Sequence, residues 1–209
     1  MSKDLENIIQ YIRFHKYYYL ILHIIIYFLI FPYCLYTASI EIYDKEIVLF
    51  ATLQKYLILT LLLYNLLFIK NYIEGSLREI LYSIDIKTKI RFSFYMFLIV
   101  IMSIIPCFII CFSIYPQSLF YLIWLIIEIL ISYTLFHLFS YIFHSVLISY
   151  GMIFIYITTI TEILNNYSIF SLIRLNGFRE VGVSYFIFWL VILIISIALS
   201  YIIEKRKRR

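Results

Sequence analysis

The sequence predicts an all-α membrane protein with six transmembrane helices and both termini on the cytoplasmic side. Three observations predict it. The chain is 65% apolar and only 14% charged, against about 25% charged in an ordinary soluble domain. From Phe92 to Thr161 the single formally charged residue is Glu128, a run that suits hydrocarbon and no water-facing surface. The basic residues, finally, are gathered into a few short segments rather than spread along the 209 residues.

The elements follow in order. Leu5, Ile8, Ile9 and Ile12 recur at helical spacing, with Lys3, Glu6, Arg13 and Lys16 around them, so an amphipathic helix resting on the inner surface is expected first. The apolar run that follows, Tyr17 to Ile40, exceeds the roughly 7–15 residues of a secretory signal core and reads as a span. Allowing about 20 residues per crossing, the chain divides into spans near 17–36, 47–69, 92–114, 119–139, 145–164 and 185–203, all within one domain over 1–209. The fourth and fifth are separated by length alone. Residues 119–164 contain no Gly or Pro before Gly151, and 46 residues are too many for one crossing, so the break is placed at Ser140–Ser145.

Orientation follows from Lys and Arg, which favour the cytoplasmic side. With the N-terminus inside, 13 of the 17 basic residues are cytoplasmic: Lys3, Arg13 and Lys16, then Lys70, Arg78, Lys87, Lys89 and Arg91, then Lys205 to Arg209. Lys45, Arg174 and Arg179 fall outside, and Lys55 lies within the second span. Five spans would expose the basic tail. The last external segment, Asn165 to Ser184, holds Ile169, Phe170, Leu172, Ile173 and Leu175 before an Asn176-Gly177 turn, the composition of a re-entrant or interfacial segment before span six.

One charged cassette interrupts the apolar sequence, from Lys70 to Arg91 between spans two and three. Ser76 and Glu79 have capping-box spacing, in which each side chain satisfies a free backbone donor at a helix start. Leu77, Ile80, Leu81 and Ile84 then form one apolar stripe, so a short amphipathic helix lying at the cytoplasmic surface is expected.

Little in the chain can carry chemistry. Four glycines, Gly75, Gly151, Gly177 and Gly182, cannot assemble a phosphate-binding or dinucleotide loop. No His-Glu-x-x-His motif occurs, and the loops are too short for a catalytic domain. The chain is therefore expected to be no enzyme, with no catalytic residue, no cofactor and no metal. His137 and His144 are seven residues apart and could join His23 as haem or metal ligands only on a continuous helix; they read as interfacial residues. Cys34, Cys107 and Cys111 read as packing residues. Glu128 and Lys55 are charges within spans, which cost several kcal/mol unless they pair, face a cavity or snorkel. Lys55 suits snorkelling. For Glu128 two roles stay open, a polar residue of a translocation path or a contact between helices.

Glu74-Gly75-Ser76-Leu77-Arg78-Glu79-Ile80-Leu81 resembles the Glu-x-Gly-Thr/Ser-Leu-x-x-Leu-Leu segment that follows the second span of ABC-2 type transporter permeases. Where family members often carry a Pro shortly afterwards, this chain has Asp85. The resemblance implies that these eight residues form a coupling helix docking into a groove on an ABC ATPase subunit. It implies the permease subunit of an exporter, a homodimer or a heterodimer with a similar permease. The cargo would be peptide-, antibiotic- or lipid-like, moved across a bacterial cell membrane with energy from the separate ATPase. The bilayer and the ATPase are then the partners, and nucleic acid is not. Two other classes compete: a non-transporting multi-span protein such as an immunity or sensor factor, and a small redox protein built on the histidines.

Overall fold

The computed structural model describes residues 16–41, 45–73, 86–116, 119–160, 172 and 183–206. Within them the chain is helical throughout its regular structure. Helix α1 covers Lys16–Ile40, α2 Lys45–Ile73, α3 Ile86–Ile114, α4 Leu119–Phe143, α5 Val146–Ile155 and α6 Val183–Arg206. The expected N-terminal amphipathic helix, the cassette residues 74–85 and nearly all of the segment before span six lie outside the described residues.

Five of these helices, α1, α2, α3, α4 and α6, are long and apolar enough to cross a bilayer. The fifth in chain order is different. α5 runs as α-helix to Ile155 and continues as a π-helical turn through Tyr156–Ile160, where this stretch of described residues ends, so about 22 Å of it is described. The break before it falls at the far end of the expected Ser140–Ser145 stretch. α4 continues through Ser140 to Phe143, His144 takes a left-handed backbone with φ 52°, and Ser145 begins α5, its hydroxyl accepting from the Ile148 amide at 3.5 Å.

Proline shapes two helices without ending them. Pro32 has no N–H, and its ring would press on the carbonyl one turn back. A π-helical stretch over Ile25–Ile30 widens α1 just before it, the usual local accommodation for such a mismatch. In α3, Pro106 sits inside a continuous helix and interrupts the backbone ladder of the turn that contains Ser103. The Tyr27 hydroxyl donates to the Ser103 carbonyl at that place, joining α1 to α3.

Burial divides the helices into two kinds. Of the most apolar stretch of each, 72% is buried in α2 and 56% in α4, against 28% in α3, 22% in α1 and 11% in α6. α2 and α4 are thus the inner pair, with α5 and α6 packed on α4 and α1 on α2. The outer helices present Phe28, Leu29, Met102, Leu147 and Ile194 almost bare, a surface suited to lipid and not to water. Several hydroxyls in the spans are satisfied within their own helix, as a bilayer favours: Thr52, Thr60, Ser140 and Ser196 each donate to the carbonyl one turn back.

Ring contacts give the directions. Phe50 stacks on Tyr121 at 5.3 Å and Gln54 meets Glu128, so α2 and α4 run parallel. Tyr19 meets Tyr64, and Tyr33 meets Tyr56, so α1 runs against α2. Phe120 and Trp124 touch Phe186, bringing the starts of α4 and α6 to the same end, while Tyr156 near the end of α5 meets Trp189.

Candidate functional site

The sequence offered two places for function, and the structure describes one of them. Glu74, Gly75, Ser76, Leu77, Arg78, Glu79, Ile80 and Leu81 lie outside the described residues, between the end of α2 at Ile73 and the start of α3 at Ile86. Glu128 is described and lies in the bundle centre.

Glu128 is the tenth residue of α4 and is fully buried. It belongs to a ridge of every fourth residue, Trp124, Glu128, Ser132, Phe136 and Ser140, all buried, because side chains four apart lie one above another on a helix. The Gln54 side chain on α2 donates from Nε2 to Glu128 Oε1 at 3.3 Å, and the Trp124 indole lies beside the same carboxyl group. Glu128 Oε2 and the Ser132 hydroxyl make no hydrogen bond among the described residues. Burying a polar group in hydrocarbon costs energy unless it is bonded, so this ridge is the chief polar liability of the bundle and its most specific feature.

A second polar cluster links α1 with α2 and α3. His23 Nδ1 is 2.7 Å from the Tyr19 carbonyl oxygen and 2.8 Å from the Tyr64 hydroxyl. A bare ring nitrogen would repel a carbonyl oxygen at that range, so Nδ1 carries the hydrogen and the carbonyl accepts it. The His23 ring packs edge-on to Tyr64 and stacks near Tyr27, whose hydroxyl reaches Ser103. These contacts tie α1 to α2 and α3.

The remaining candidates separate. His137 lies on α4 with its ring 4.6 Å from Tyr133, whereas His144 is the turn residue beyond that helix, so the two do not share a continuous helical face. Cys34, Cys107 and Cys111 are buried free thiols in the packed interior. Lys55 is half-buried on α2. Among the described residues no three His, Cys, Asp or Glu side chains gather as metal ligands.

Gln54 was missed because only formal charges within spans were singled out. A signal existed. Gln54 and Asn65 are the only carboxamides in the apolar run 47–69, and eleven residues make three helical turns, so they share one face; both are about 1% exposed. No protein-family model, no curated protein and no solved structure matches the chain.

Proposed function

We propose that this chain is the membrane subunit of an ATP-driven exporter of the ABC-2 type. In this reading it crosses the bacterial cell membrane six times with both termini cytoplasmic. It works as a dimer, with itself or a similar permease, over two ATPase subunits. What supports six crossings is the set of helix directions, in which α4 and α6 start at one end and α5 returns between them, together with the basic residues at the cytoplasmic ends.

The observation that carries the proposal is the motif Glu74 to Leu81 in the connection between α2 and α3. Its position has mechanical consequences. α2 is the most buried helix of the bundle, so a displacement delivered at its cytoplasmic end is transmitted through close-packed side chains to α4. The same push on α6, which is mostly free of protein contacts, would move little else. Closure of the ATPases on nucleotide would press on the helix from Ser76 to Ile84. Leu77, Ile80 and Leu81 would be its anchors, and Arg78 and Glu79 its polar rim. A rigid-body shift of α2 and α4 then changes which side the dimer interface opens to. Because α2 and α4 fill the middle of one chain, the pathway for a peptide-, antibiotic- or lipid-like cargo runs between protomers.

The test is co-purification in the native membrane. A chain with a Walker nucleotide-binding motif is expected to accompany the wild type and to be lost from a Gly75→Pro, Leu81→Asp variant that still inserts at wild-type level. Equal recovery from both proteins would end the docking role.

A further inference from the structure

Only one oxygen of the buried Glu128 carboxyl is accounted for. Oε1 accepts from Gln54 Nε2 at 3.3 Å; Oε2 is buried and makes no hydrogen bond among the described residues. One turn on, the Ser132 hydroxyl is likewise buried without a hydrogen bond among those residues. An ionised carboxylate in such a place requires a cation or several donors, since burying a bare charge is prohibitive. Here, among the described residues, a single hydrogen bond reaches the carboxyl group, from the Gln54 amide on α2; the Trp124 indole lies beside it and the Ser132 hydroxyl one turn on, and Oε2 is bonded by neither. None is a cation. Lys55 follows Gln54 in sequence and so projects about 100° around α2 from it. α4 also packs against α3, α5 and α6. Among the described residues, the titratable side chains that these helices bring into the interior are Tyr95, Cys107, Cys111, Tyr150, Tyr156 and Tyr185, and none of these supplies positive charge.

We propose that Glu128 is an intramembrane proton-binding site, with the proton on Oε2, Oε1 fixed as an acceptor by Gln54, and Ser132 as the polar neighbour one turn away. The step is a simple protonation: a proton from water joins Oε2 of the carboxylate, the negative charge is cancelled, and no bond other than O–H forms or breaks. Because Glu128 is sealed between α2 and α4, this proton exchanges with water only when that contact opens. The site thereby records each separation of the inner helix pair. It does not rest on the transporter reading and would stand if no ATPase bound.

Infrared spectroscopy of the purified full-length protein in lipid vesicles at neutral pH tests it. The difference between the wild-type and Glu128→Gln spectra isolates this carboxyl group from the other Asp and Glu residues. The wild type is expected to show the carbonyl stretch of a protonated carboxyl group, and Glu128→Gln to lose it. Gln54→Leu, which removes the donor to Oε1, should keep the band and shift it to higher frequency. Identical wild-type and Glu128→Gln spectra would overturn the proposal. A band unmoved in Gln54→Leu would overturn the assignment of the two oxygens.

Discussion

At Gln54 a single amide crosses from α2 to a fully buried carboxyl group on α4, and this geometry decides what a substitution costs. Removing the donor leaves Glu128 Oε1 buried and unbonded, a worse state than having neither group. Gln54→Leu is therefore expected to lower stability by about 1–2 kcal/mol, read as an earlier unfolding transition in detergent micelles. Leu at both Gln54 and Glu128 should recover most of that loss, because two apolar side chains leave nothing unsatisfied. A double variant no more stable than Gln54→Leu would mean that the pair is not coupled. The His23–Tyr64 contact has a different character. It binds α1 to α2 through a ring nitrogen that already has a carbonyl partner, so its loss strands less.

Among the elements, the turn between α4 and α5 shows best where sequence patterns run out. Long apolar runs are legible because lipid leaves a chain no other way to cross, and five of the helices agree closely with the runs that predicted them. The α4–α5 turn carries no Gly or Pro. His144 takes the left-handed conformation itself, which His tolerates better than most residues but which no pattern of hydrophobicity announces. For that reason the break was placed across Ser140–Ser145 by length, and the extension of α4 to Phe143 was not foreseen. Likewise Pro32 is visible in the sequence, while the π-helical stretch that accommodates it depends on how α1 lies on α2. A β-branched residue in a left-handed backbone is strained by about 1–2 kcal/mol. His144→Val is thus expected to destabilise the protein by that amount, and His144→Gly to leave the turn intact, both measured by thermal unfolding in detergent. Equal transitions for the two variants would show that the turn is not held in that conformation.

On the scale of the whole molecule, burial is distributed unevenly: α2 and α4 are wrapped by their neighbours, and α1, α3 and α6 face outward. The hydrophobic effect does not drive helices together inside a bilayer, so packing and internal polar contacts must hold the inner pair. The Gln54–Glu128 bond and the Phe50–Tyr121 stack are where they do so. Of the functional candidates, Glu128 was legible as the one charge in a long apolar stretch, whereas its partner was hidden because a neutral amide breaks no rule of composition. The cassette from Lys70 to Arg91 was legible for the opposite reason, being polar where its surroundings are not.

That cassette carries the central claim, and in-cell photocross-linking tests it most directly. With a photoreactive amino acid in place of Leu81, on the apolar stripe, illumination is expected to join this chain to a protein bearing a Walker nucleotide-binding motif. The same probe in place of Leu147, on the bare outer face of α5, should give no such product. A probe at Leu81 that reacts only with lipid, in cells where that ATPase is present, would contradict the account.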